Sequence, residues 1–178
     1  MDPIKIIEKY YSPGSKLYET LIVHSSKVRD KALECIDRRG LEVDRDFVAE
    51  AAMLHDIGIF RCDAPDIYCT GTLPYICHGV EGRKILDAEG LPRHALVCER
   101  HTGSGLSTED IERQNLPLPL REMLPLSLEE KLICYADKFF SKSGDIREEK
   151  SLDRVLRSME RHGADTLSRF LLLHRLFG

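Results

Sequence analysis

Apolar residues recur along most of this 178-residue chain at steps of three and four, the spacing of helices with one buried face. The longest stripe is Leu17, Leu21, His24, Val28, Ala32 and Cys35, which predicts a helix over residues 15–39 that stops at Gly40. Ahead of it, Asp2-Pro3 supplies a cap and a first-turn proline for a short helix through Tyr10. Asp44 or Asp46 starts the next helix, with Phe47, Ala51 and Leu54 inward and an end at Gly58. Residues 78–88, closed by Gly90, and 92–101, ended by Thr102-Gly103-Ser104-Gly105, read as two more. Two capping boxes follow, a weaker one at Ser107-Thr108-Glu109-Asp110 and a stronger one at Ser127-Leu128-Glu129-Glu130. The second opens a helix reaching about Phe140, and Pro117, Pro119 and Pro125 mark the loop between the boxes. Amphipathic segments over 151–162 and 165–176 complete the pattern, while strand alternation is weak. The expectation is an all-α helical bundle, one domain over 1–178, with its motif-bearing core at about 20–140 and C-terminal helices at about 151–176.

Composition narrows the partners. With 42% hydrophobic and 31% charged residues, the chain has the make-up of a globular domain with a sizeable core. A net charge of -4 gives no general ground for nucleic-acid binding. No apolar run approaches the roughly 20 residues that cross a bilayer, and MDPIKIIEKYY lacks the basic-then-apolar order of a signal peptide. A cytoplasmic protein with neither membrane nor nucleic-acid partner is expected. Cysteines 35, 62, 69, 77, 98 and 134 form no C-x-x-C pair and fall within apolar patterns, as reduced, buried hydrophobes do. The apolar tail 170–177 is expected to dock on the core or to form a homodimer contact.

Six polar residues stand where the pattern calls for apolar ones. His24 interrupts the long stripe, His55 lies one turn beyond Ala51, and Asp56 follows it inside the run Met53-Leu-His-Asp-Ile-Gly-Ile-Phe60. His78 begins a helix on the side of Gly82 and Ile85, His101 follows Cys98, and Asp137 lies one turn after Ile133. Any one of them, taken singly, is more often a satisfied core group than a ligand. Four inward histidines and two inward aspartates together point to metal, because buried charges pair or coordinate. Imidazole and carboxylate without thiolate suit Fe, Mn, Zn, Co or Ni. Residues 55 and 56 project about 100° apart on a helix, so both reach one ion best where the helix ends, and Gly58 is placed to let the chain turn there.

His24, then His55-Asp56, then Asp137 resembles the H…HD…D signature of the HD-domain superfamily of metal-dependent phosphohydrolases. His55-Asp56-Ile57-Gly58 spells the variant of its HDIG subgroup, and His78-Gly-Val-Glu-Gly82 and Glu99-Arg-His-Thr-Gly103 resemble single-domain members with binuclear sites. The resemblance implies that His24, His55, Asp56 and Asp137 hold a first ion and that His78 and His101 hold a second, with Asp56 bridging. It thus implies one or two divalent transition metals and a water, held by Asp56, that attacks the phosphorus of a nucleotide or another small phosphate ester or anhydride. Lys138 and Glu81 join Asp56 as catalytic candidates, Glu81 as general acid or as a group orienting a ligand. Lys27 and Arg61 are candidates for substrate phosphate; each of these charges also reads as a solvated one. His94, His162 and His174 match no motif position and are expected at the surface or in structural roles. Two other classes use the same ligands: mixed-valent di-iron oxygenases and non-catalytic nucleotide sensors. The complete ligand set weighs against a sensor.

Overall fold

Helix α2 (Lys16–Arg39) forms along the longest apolar stripe. Ser15 caps it by accepting from the Tyr18 amide at 3.2 Å, and Gly40 ends it in the left-handed region at φ 60°. The computed structural model describes residues 1–178, with nine α-helices and one two-stranded ribbon. Helix α1 (Pro3–Ile7) is shorter than its pattern, leaving the helix at Glu8 so that Tyr11 turns inward and donates to the Ile57 carbonyl at 2.8 Å. Helix α3 (Arg45–Leu54) starts at Asp44, whose carboxylate accepts from the Phe47 amide, and it ends at Leu54, ahead of Gly58. Residues 59–77 then make three short 3-10 turns and an antiparallel ribbon, β1 (Asp63–Ala64) with β2 (Cys69–Thr70), in register Asp63 to Thr70.

Helices α4 (His78–Ala88), α5 (Pro92–Arg100), α6 (Thr108–Arg113), α7 (Leu128–Asp137), α8 (Leu152–Arg161) and α9 (Ala164–Phe177) follow. The two capping boxes reverse their expected ranking. Ser107 and Asp110 make the full reciprocal pair. Ser127 accepts from the Glu130 amide, but Arg100 draws the Glu130 carboxylate away, and it takes the Leu126 amide instead of that of Ser127.

The helices enclose two large apolar clusters. One gathers Val28, Ala32, Ala51, Leu132, Ala136 and Phe170 from α2, α3, α7 and α9. The other gathers Ile7, Leu21, Leu54, Ile57, Leu86 and Cys98 from α1, α2, the end of α3 and the turn after it, α4 and α5. Along α2 the stripe passes from the second cluster to the first between Leu21 and Val28, and His24 stands at that seam. Phe170, Leu173 and Phe177 of the tail dock into the first cluster, while Leu171, Leu172 and Leu176 face outward. All six cysteines are free and buried. No helix is long and apolar enough to cross a membrane.

Candidate metal centre

The six inward polar residues meet at the seam. His24 comes from the middle of α2. His55 caps the end of α3 and Asp56 follows it. His78 opens α4, His101 caps the end of α5, and Asp137 is the last residue of α7. Helix ends matter here because their final carbonyls lack intrahelical partners. The Nδ1 of His55 faces the Ala52 carbonyl at 2.7 Å, that of His78 the Tyr75 carbonyl at 2.6 Å, and that of His101 the Cys98 carbonyl at 2.8 Å. A carbonyl only accepts, so each Nδ1 carries a proton and each Nε2 is turned inward.

These donor atoms form two groups sharing Asp56. In the first, His24 Nε2 lies 3.2 Å from Asp56 Oδ2 and 3.0 Å from Asp137 Oδ1, and His55 Nε2 lies 3.1 and 3.4 Å from the same oxygens. In the second, Asp56 Oδ1 stands 3.5 Å from His78 Nε2 and 3.4 Å from His101 Nε2, which are 3.1 Å from each other. Donors about 2.1 Å from a common ion stand roughly 3.0–3.4 Å apart, so the spacing is that of a coordination shell. The chemistry agrees. Both Asp56 oxygens and His55 Nε2 are buried without a hydrogen-bond partner, which a folded chain tolerates where a cation satisfies them. Burial holds His78 down to about 3 and lowers His101, so both are neutral and aim lone pairs at one point. The residues present therefore fit one or two divalent ions.

Charge around the group is tightly arranged. Burial disfavours the ionised form of Asp56, yet His55 and Lys142 outweigh it and hold the carboxyl well below its usual range. Lys138 and Lys142 do the same for Asp137. Burial also opposes the charged form of His55, but the Asp56 charge, with contacts from both aspartates, lifts it to about 9. Lys138 Nζ is held between Asp137 Oδ2 at 2.5 Å and the His101 carbonyl at 3.0 Å. Lys142 Nζ lies 2.6 Å from Asp56 Oδ2, an ion pair without hydrogen-bond alignment. Both lysines, with Lys150, His78 and Asp137, line a cavity of about 510 Å³, and a second cavity of about 300 Å³ shares Tyr75 and Lys142 with it. Cys134, buried next to the His101 carbonyl, has its thiol pushed up to about 11, consistent with packing rather than ligation.

Three candidates lie outside both cavity linings, and the reading of Gly58 needs correction. Glu81 pairs with Lys84 at 2.6 Å and lines neither cavity. Arg61 is exposed over the Phe60 ring at 5.0 Å, and Lys27 is half-buried on α2 but lines neither cavity. Gly58 does not provide a left-handed turn: its φ is -83°. A Cβ there would lie 2.2 Å from the His78 carbonyl oxygen and 2.4 Å from the Gly82 nitrogen, so glycine is required by the close approach of α4. His162 lines the large cavity, whereas His94 packs edge-on to Phe47 at 4.8 Å and His174 meets the Tyr135 hydroxyl at 3.0 Å. Sequence reasoning missed Lys142 altogether. Its one available signal was the lysine recurring one turn after Lys138.

Comparison with known proteins bears on this geometry directly. The HD domain family model matches residues 21–141. An uncharacterized protein of Methanocaldococcus jannaschii is 33% identical over 163 residues, covering 88% of this chain and 86% of its own length. The tRNA (cytidine(56)-2'-O)-methyltransferase of Picrophilus torridus is 32% identical over 129 residues, which is 72% of this chain and 33% of the methyltransferase. That of Thermoplasma volcanium is 29% identical over 171 residues, 95% of this chain and 44% of the methyltransferase. The chain thus spans less than half the length of either methyltransferase. No solved structure matches it.

Proposed function

The chain belongs to the HD domain family, and from that premise we propose that it hydrolyses a nucleotide or another small phosphate ester or anhydride with one or two bound divalent metals. The observation that carries the reading is the pair of ammonium groups, Lys138 and Lys142, set against a buried metal-ligand cluster at a cavity. His24, His55, Asp56 and Asp137 would hold one ion and Asp56, His78 and His101 the other. When bound, such ions activate a water and polarise phosphate oxygens.

The chain's own residues supply the rest. Asp56 and Asp137 stay ionised, so neither competes with the substrate for protons. Lys138 and Lys142 present N–H groups where charge develops on the phosphate oxygens. The His101 carbonyl fixes the direction of Lys138. Water forms the new bond to phosphorus as the ester or anhydride oxygen departs with a proton. The methyltransferase relatives lend no methyl-transfer reading, since the matched segment is the smaller part of each.

A phosphate-release screen over nucleotides, with protein loaded with Mn, Fe, Co, Ni or Mg, tests the reading. Release is expected with at least one metal, and Asp56→Ala is expected to lower it by on the order of 10³ or more. An Asp56→Ala protein that turned over at the parent rate would show the assignment to be wrong. Oxygen uptake by iron-loaded protein with a polyol or phosphonate, in place of phosphate release, would move the chain to the oxygenase class.

A further inference from the structure

The large cavity has a second wall made by elements that give nothing to the metal cluster. Gln114 follows α6, Ser158 lies on α8, and His162 caps the end of α8. The family match ends at residue 141, so Ser158 and His162 lie beyond it. The lysines of the cavity are gathered elsewhere. Lys138 and Lys142 touch the cluster, and Lys150 is pinned to the Lys138 and Phe140 carbonyls at 3.3 and 3.1 Å.

We propose that Gln114, Ser158 and His162 are specificity-determining residues that read the organic part of the substrate, and that this part is an uncharged hydrogen-bonding group carried on a single phosphate. The inference rests on the phosphohydrolase reading and extends it. Phosphate is common to every phosphomonoester, so the ligand cluster and lysines give affinity without discrimination. Discrimination comes from polar groups that an unsuitable substrate leaves unpaired. The amide, the hydroxyl and the imidazole each donate and accept. The only carboxylate lining the cavity is the ligand Asp137, so a cationic group finds no partner at the second wall. A further phosphate would find no lysine or arginine there. Leu116 and Met159 also line the cavity, and they suit a flat or weakly polar body beside the hydrogen-bonding edge.

The test uses the metal-loaded full chain and a panel of nucleoside 5′-monophosphates, hexose phosphates, nucleoside diphosphates and p-nitrophenyl phosphate. Gln114 and His162 are exposed, so Gln114→Ala and His162→Ala are expected to melt with the parent. On the preferred monophosphate kcat/KM should fall about 10- to 100-fold, while p-nitrophenyl phosphate turnover stays within about twofold. His162→Gln should recover part of the loss. The panel decides whether the group is a base or a sugar. Equal losses on both substrate types, no loss on the preferred one, or preference for a diphosphate would overturn the proposal. If the parent hydrolyses no panel member, the phosphohydrolase reading fails by itself. The wall is then judged by calorimetric binding of the same panel, where the same fold-loss supports it and unchanged or absent binding overturns it.

Discussion

Each of His55, His78 and His101 sends its Nδ1 proton to the carbonyl three residues earlier, and the shared habit turns all three Nε2 atoms toward Asp56. Lys142 completes the charge pattern from the loop after α7. Replacing it as Lys142→Met should raise KM for the phosphorylated substrate by roughly 10- to 100-fold, the scale of a lost charge-assisted hydrogen bond. Metal content should not fall. Steady-state kinetics beside elemental analysis checks this, and an unchanged KM would remove Lys142 from phosphate recognition. The six inward polar residues were legible because each breaks an apolar stripe. Lys142 was not, since Ser141-Lys142-Ser143-Gly144-Asp145 reads as a solvated loop and its burial is a tertiary fact. Glu81 and Arg61 lie near the ligands along the chain, which says little about direction in space.

At the scale of elements, the centre is assembled from helix ends. Helices α3, α5 and α7 stop at or beside a ligand, and each stop is earlier than the apolar pattern alone would place it. The pattern reports which face is buried, whereas at the ends of α3 and α5 an imidazole takes over a terminal carbonyl. Gly58 shows the same limit: its presence was legible, but its reason lies in α4, which passes close enough to exclude a Cβ. Gly58→Ala should therefore cost about 1–3 kcal/mol of stability and reduce metal content by shifting the start of α4. Urea denaturation with metal analysis reads both effects. Parent-like values for both would mean that the contact is not what requires glycine.

For the whole molecule, the cluster sits between two apolar cores, and the cavity beside it is walled partly by the C-terminal helices. Asp110 ties those parts together. Its carboxylate accepts from the Ser107 amide at 3.1 Å and from Arg169 of α9 at 2.6 Å, while Arg169 also reaches the Gly105 carbonyl. Burial works against the charge of Asp110, but the Ser107 amide and Arg169 keep its pKa below the ordinary value. A carboxyl lowered on folding stabilises above its unfolded pKa of about 3.9, and the contribution disappears as pH falls through the folded value. Asp110→Asn should thus cost about 1–3 kcal/mol at pH 7, and its deficit against the parent should shrink below about pH 4. Denaturant melts at both pH values test it; a deficit independent of pH would contradict it. The metal centre is tested most directly by elemental analysis of protein loaded with a divalent transition metal and then dialysed. One or two ions per chain are expected in the parent and almost none in Asp56→Ala. A parent that retains no metal, or an Asp56→Ala protein that retains as much as the parent, would contradict it.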